Sequence, residues 1–155
     1  MTIEDDIAFL ERVATLQVLG PAALRIIAIG AESRYVHGGE VLFQKGDAAD
    51  SGYVVQEGLF SLNPKPEDSF KDITAGPGAL LGEVALLRET PRPVTATALE
   101  PSTVIRIPRS LFLKMLEGYP DAAKRLRDAL AARAQDTARD MIKIRTVLDE
   151  PGKGR

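Results

Sequence analysis

The sequence contains no cysteine, and His37 is its single histidine among 155 residues. Without cysteine the chain forms no disulfide, thiolate metal site or iron–sulfur cluster. One histidine cannot build a multi-histidine metal centre, and no pair of carboxylates stands out by its spacing. Because catalysis needs a nucleophile, a base or a metal set, we expect no catalytic residue, no metal site, no cofactor and no enzymatic activity.

Charge of one sign and long hydrophobic runs are also lacking. The 20 basic and 22 acidic side chains leave a net charge of -2, which provides no strong attraction to nucleic acid. The most apolar window, residues 22–31, includes Arg25 and is too short to cross a bilayer. The acidic N-terminus does not resemble the cationic start of a signal peptide. We therefore expect a cytoplasmic protein that does not associate with membranes.

The spacing of apolar residues changes twice along the chain. Residues 1–31 carry them at helical spacing, with a break at Gly20–Pro21. Residues 32–108 have short apolar runs between glycine-containing turns, which predicts antiparallel strands. Within this region, residues 63–69 are polar and interrupted by proline, which predicts a loop, and residues 70–74 are a predicted strand.

Helical spacing returns after Pro108. Ser110 is the predicted N-cap of a helix over residues 111–117, which Gly118 ends. Pro120 is placed to begin a second helix, which nothing interrupts as far as Leu148.

These patterns predict a mainly β fold with flanking helices. An antiparallel β-roll or jelly-roll barrel lies between N-terminal helices and two C-terminal helices, of which the last is long. We expect one domain overall, divided into a helical segment 1–31, a β-roll 32–108, C-terminal helices 109–149 and a tail 150–155.

The last helix carries a heptad-like seam. Its apolar or small members follow one another in steps of four and three: Leu130, Ala134, Thr137, Met141, Ile144 and Leu148. Such a seam suits a homodimer formed through the helix 121–148, and it equally suits a helix that packs back on its own barrel.

Residues 81–98 (LGEVALLRETPRPVTATA) combine groups that suit a small phosphorylated sugar. Gly82 allows close approach of the backbone, and amides that open a helical turn point at an anion. Arg92 offers a planar fork for phosphate oxygens, and the Glu83 carboxylate accepts a hydrogen bond from a sugar hydroxyl. From the residues alone, Glu83 and Arg92 equally suit a surface ion pair contributing about 0–1 kcal/mol.

This stretch resembles the phosphate-binding cassette (residues 81–95) of the cyclic-nucleotide-binding domain family. Three further segments resemble the family in the same order: 37–47 (HGGEVLFQKGD), 50–58 (DSGYVVQEG) and 108–112 (PRSLF). The resemblance runs from about Leu10 to about Arg133, and implies the family's fold throughout.

The resemblance also implies a ligand and a set of ligand-binding residues. Glu83 would accept the ribose 2′-hydroxyl, and Arg92 would pair with the cyclic phosphate. The remaining implied site residues are Gly82 for close approach, the amides of Val84 and Ala85 for the phosphate, and Leu81 and Val94 for the apolar wall. The long C-terminal helix would supply the cap over the base, from Leu126, Arg127, Leu130 or Arg133.

Pro93 departs from the family pattern. At this position the family usually presents an N–H, and often a hydroxyl, to the phosphate, and proline has neither. The expected loss is about 1–2 kcal/mol, or roughly ten-fold in affinity. Guanine-preferring members tend to carry threonine here, so the resemblance implies cAMP rather than cGMP. Bacterial regulators of the family also carry a helix-turn-helix after the long helix; none follows here, so we expect no direct DNA binding.

Two functional hypotheses follow. In the first, the chain is a stand-alone cyclic-nucleotide sensor that transmits ligand occupancy through its C-terminal helices to a dimer or an unidentified downstream protein. In the second, Pro93 marks a disabled site, and the chain is a scaffold or interaction protein that uses its long helix.

Overall fold

The computed structural model describes residues 2–63 and 73–149, with side chains described as far as Ala134. Its α-helices in this part of the chain are α1 (Ile3–Leu10), α2 (Ala14–Gln17), α3 (Pro21–Gly30), α4 (Arg109–Gly118) and α5 (Pro120–Asp149). The strands are β1 (Glu32–Val36), β2 (Val41–Phe43), β3 (Ala48–Ala49), β4 (Ser51–Glu57), β5 (Phe60–Asn63), β6 (Ile73–Ala75), β7 (Leu80–Leu81), β8 (Thr90–Pro91), β9 (Thr95–Ala98) and β10 (Ser102–Pro108).

The strands form two four-stranded antiparallel sheets and one short pair. The first sheet has the order β1-β10-β4-β7, the second has the order β2-β9-β5-β6, and β3 pairs with β8. The predicted fold class, a mainly antiparallel β-roll with flanking helices, is therefore confirmed.

Strand β4 separates two hydrophobic cores. Because successive side chains of a strand point to opposite faces, Val54 belongs to one core, whereas Tyr53 and Val55 belong to the other. The first core joins the outer face of the sheet to the helices; the second fills the inside of the roll. This arrangement fixes the helices against the wall from which the cassette emerges.

The helix boundaries follow local chemistry in most places. The Thr2 hydroxyl and the Asp5 carboxylate form a capping box at the start of α1. Gly20 has a φ of 85°, and Pro21 begins α3, so the predicted break at this dipeptide is where the second long N-terminal helix starts. Pro120 begins α5 as predicted, and the helix continues without interruption to Asp149.

The prediction of Ser110 as an N-cap is wrong. Strand β10 runs directly into α4, whose N-cap is Pro108, with an extended backbone and no capping side chain. The Arg109 amide instead donates to the Asp50 carbonyl at 2.8 Å, so a backbone bond to the neighbouring strand replaces the cap.

Two other predictions fall partly outside the described residues. Of the strand expected at 70–74, the structure describes β6, which begins at Ile73 and pairs with β5. Of the heptad seam, Leu130 packs against the helical core and Ala134 is exposed, and the later members have no described side chains. The dimer stays a prediction.

Candidate functional site

The cassette leaves the first sheet at β7, forms a short 3-10 helix at Val84–Leu86, pairs with β3 through β8 and enters the second sheet at β9. Gly82 lies at the corner with a φ of 82°, a conformation that L side chains rarely adopt. A Cβ at this position would lie 2.3 Å from Nη1 of Arg92. Glycine is therefore required twice here, by the backbone conformation and by the neighbouring guanidinium.

Arg92 is buried, with only 4% of its surface exposed. Its guanidinium carbon lies 4.3 Å from the centre of the Phe43 ring and 5.5 Å from that of Tyr53. Nη2 donates a long hydrogen bond of 3.5 Å to Ser51 Oγ, while the backbone amide donates to the Asp47 carbonyl at 2.8 Å. Two aromatic rings thus hold the guanidinium at the base of the cassette.

Nη1 of Arg92 is buried and has no hydrogen-bond partner among the described residues. In the same part of the chain, no carboxylate forms an ion pair with this guanidinium. Burial lowers the pKa of Arg92, although nearby Tyr53, Asp50 and Asp47 oppose the shift. A buried donor without a partner is costly, and an anion beside it would satisfy that donor.

Beside this guanidinium lies a cavity of about 310 Å³. The cavity is lined by Ala49, Gly82, Glu83, Val84, Ala85, Arg88, Thr90, Pro91, Arg92 and Pro93. Six of the eight predicted site residues therefore share one cavity. The other two, Leu81 and Val94, belong to the core of the roll behind it, and their role toward a ligand stays a prediction.

Two backbone positions of the cassette do not offer a free N–H group to an anion. The Ala85 amide donates to the Gly82 carbonyl at 3.1 Å within the 3-10 helix, so an anion at this amide would have to share it. Pro93 contributes no amide. Positive charge at the cavity comes from two arginines, of which Arg92 is buried and Arg88 is exposed.

The Glu83 carboxylate is held by two other parts of the chain. Arg133 of α5 forms an ion pair with it, through Nη2 to Oε1 and through Nη1 to Oε2 at 3.2 Å. The Thr15 hydroxyl of α2 donates to Oε2, and Arg133 Nη1 also donates to Thr15 Oγ1 at 3.0 Å. The alternative of a Glu83–Arg92 surface ion pair is wrong, because Glu83 pairs with Arg133 and Arg92 is buried against aromatic rings.

These contacts decide the ionisation of Glu83. Burial by itself would raise the pKa of Glu83, but hydrogen bonds from Arg133 and Thr15 outweigh it and lower the pKa below its ordinary value. The carboxylate is therefore charged at neutral pH and acts only as a hydrogen-bond acceptor.

Of the four candidates for the cap, the structure brings Arg133 to the cassette. Leu126 lies in the helical core, Leu130 packs on that core, and Arg127 is exposed. Arg125 positions this part of α5 by donating to the carbonyls of Val18 and Leu19. Thr15 was missed, because nothing in its local sequence marks it as a partner of a glutamate 68 residues away.

Other kinds of site were sought in the same described ranges. No group of three or more histidine, cysteine, aspartate or glutamate side chains in residues 2–63 and 73–149 is arranged to hold a metal ion. Among the helices of these ranges, none combines the length and apolar character needed to cross a membrane.

Comparison with known proteins identifies related chains. The family model described as "Cyclic nucleotide-binding domain" matches residues 33–119, more than half of the sequence. A curated relative, the lysophospholipase nte1 of Neurospora crassa, is 28% identical over 149 residues, which is 95% of this chain and 9% of that protein. The chain thus spans about a tenth of the length of such curated relatives.

Solved structures that resemble this chain are also of this kind or of the sensor part of a regulator. A cyclic nucleotide-binding-like protein from Brucella abortus is 38% identical, with a TM-score of 0.63 over 73% of this chain and 98% of that one. The N-terminal domain of a transcriptional regulator from Streptomyces coelicolor is 27% identical, with a TM-score of 0.76 over 86% of this chain and 94% of that one.

Proposed function

Because the chain belongs to the cyclic nucleotide-binding domain family, we propose that it is a sensor domain that binds a cyclic nucleotide in the cassette cavity. The observation that carries this proposal is the buried Arg92 Nη1 donor, which has no partner in the part of the chain that the structure describes. Its guanidinium rests against two aromatic rings, Arg92 lines the cavity, and a cyclic phosphate would satisfy the donor. A charge-assisted hydrogen bond contributes about 1.5–3 kcal/mol, so a few such contacts support micromolar affinity.

The preferred ligand in this proposal is cAMP. Pro93 provides no hydroxyl where the resemblance places a contact to guanine, so we expect the site to prefer adenine over guanine. The same proline removes one phosphate donor, and we expect an affinity about ten-fold weaker than that of a complete cassette.

The role that we propose is regulatory rather than catalytic. Ligand occupancy would be transmitted from the 3-10 helix to α5, which reaches the cassette through Arg133. From α5 the signal would pass to a second copy of the chain or to another protein. Such transmission requires that the ligand bind two arrangements of α5 with different affinity. A cytoplasmic location stays a prediction.

The alternative is a scaffold with a disabled site. Two observations favour it: Pro93 lacks a donor, and the Glu83 carboxylate is already occupied by Arg133 and Thr15. In that case α5 would carry the function through its exposed surface.

Isothermal titration with cAMP and cGMP separates the two candidates. The sensor predicts saturable binding of cAMP at micromolar concentrations, weaker binding of cGMP, and loss of both in Arg92→Met. The matched control is Arg12→Met, because Arg12 is an exposed arginine that also lies over an aromatic ring, that of Phe9. Absence of heat up to millimolar ligand, with folded and nucleotide-free protein, would contradict the sensor and favour the scaffold.

A further inference from the structure

Three separate parts of the fold meet at the Glu83 carboxylate. Thr15 comes from the N-terminal helices, Glu83 from the cassette and Arg133 from α5. Arg133 contacts both carboxylate oxygens, and Thr15 contacts Oε2. The carboxylate of Glu83, a residue that lines the cavity, is therefore engaged by both α2 and α5.

The geometry leaves little capacity for another donor. A carboxylate has about four acceptor positions, of which the guanidinium fork and the threonine hydroxyl take three. The fork also spans the two oxygens, so it covers the edge that a further donor would approach. One acceptor position, on Oε1, stays outside these contacts, so a sugar hydroxyl that approaches the edge covered by the fork competes with Arg133 for the carboxylate.

Arg133 is able to leave Glu83 at a small cost. Its side chain is 55% exposed, whereas that of Glu83 is 26% exposed. An ion pair with such an exposed partner is weak, because water and salt screen it. Arg133 also keeps the Thr15 hydroxyl as an alternative acceptor. The contact is therefore strong enough to affect ligand choice, and weak enough to be broken by a ligand.

We propose that Arg133 is a specificity-determining residue that competes with the ribose 2′-hydroxyl of a bound cyclic nucleotide for Glu83. The inference rests on the proposed function. A ribonucleotide then gains its contact with Glu83 at the expense of the Arg133 contact. A 2′-deoxy ligand has no hydroxyl to donate and leaves the Arg133–Glu83 pair intact. The wild-type chain consequently distinguishes less between the two sugars than a chain without Arg133.

The test compares cAMP with 2′-deoxy-cAMP by isothermal titration, in the wild type and in Arg133→Met. Removing the arginine also removes a positive charge, but this affects the two anionic ligands alike, so the ratio of their dissociation constants isolates the hydroxyl. We expect Arg133→Met to increase the preference for cAMP by about two- to five-fold, the range of a screened ion pair. Arg127→Met is the matched control, since Arg127 is a 73% exposed arginine on the same helix, and it should leave the ratio unchanged.

The outcomes separate this inference from the proposed function. An unchanged or smaller preference for cAMP in Arg133→Met, with both ligands still bound, would overturn the competition while leaving the sensor intact. Failure of both ligands to bind either protein would overturn the proposed function, and the inference with it. Because Arg133 is exposed, the variant should fold, and a cooperative thermal unfolding transition like that of the wild type would verify this.

Discussion

Replacing Arg92 with methionine should remove ligand binding while leaving the unliganded protein about as stable as before. Arginine side chains in structural networks are usually destabilising to remove, because their partners are left unpaired. Arg92 differs, since its Nη1 donor is unpaired among the described residues and its guanidinium rests on two aromatic rings. Methionine keeps much of the side-chain length and is itself favourable beside aromatic rings.

The magnitudes can be worked from these contacts. Removing a buried donor without a partner recovers about 1–3 kcal/mol. Losing the cation–π contacts with Phe43 and Tyr53 costs about 0.5–2 kcal/mol each, of which a sulfur–aromatic contact restores part. The terms nearly cancel, and we expect the free energy of unfolding to change by less than about 1 kcal/mol. A bidentate contact to phosphate supplies two bonds of about 1.5–3 kcal/mol, so the dissociation constant for cAMP should rise at least about a hundred-fold.

Two assays check this combination. Urea unfolding without ligand measures the change in stability, and repetition with cAMP measures the ligand's contribution, which is about 2.7 kcal/mol at a hundred times the dissociation constant. The wild type and Arg12→Met should gain this stabilisation, and Arg92→Met should not. If Arg92→Met lost more than about 2 kcal/mol without ligand, the guanidinium would be a structural element of the core. If it bound cAMP as tightly as the wild type, the phosphate contact would be refuted.

Three further predictions address the rest of the cassette. Gly82→Ala should lower the free energy of unfolding by about 1–2 kcal/mol because of the left-handed backbone, and should lose cAMP binding because the new Cβ would lie 2.3 Å from Arg92 Nη1. The control is Gly39→Ala, where the backbone strain is similar but a Cβ meets open space. Equal effects of the two substitutions on binding in titration would contradict this account. Pro93→Ser restores an amide and a hydroxyl and should tighten cAMP binding about ten-fold in the same titration, whereas unchanged affinity would mean that no phosphate approaches this position. Hydrogen bonds outweigh burial at Glu83, so its pKa in the folded state is lowered from 4.5. The stability that the ionised carboxylate contributes is therefore present above pH 4.5 and is lost as the pH falls through the folded-state pKa. The unfolding free energies of the wild type and Glu83→Gln should converge below about pH 4.5, and a constant difference from pH 7 to pH 3.5 would count against the ionised contact.

Much of the fold was predictable because its signals are local. The Gly20–Pro21 break, the uninterrupted helix after Pro120 and the glycine-containing turns each depend on a few neighbouring residues. The prediction at Ser110 failed because the interaction there is not local. A cap that a nearby serine could supply was replaced by a backbone bond from Arg109 to Asp50, which lies between β3 and β4 and is distant in sequence.

Residue patterns along the chain were enough to predict the fold class and the composition of the cassette. Gly82, Glu83 and Arg92 lie within one short segment, so their spacing along the chain was enough to place six of the predicted residues around a single cavity. The contacts of each group, in contrast, depend on how the chain is folded. Phe43 and Tyr53 converge beneath Arg92 from different strands, while Thr15 and Arg133 reach Glu83 across 68 and 50 residues of chain. The physical reason is that a side chain's charge and donors are local properties, whereas its partners depend on packing of elements distant in sequence.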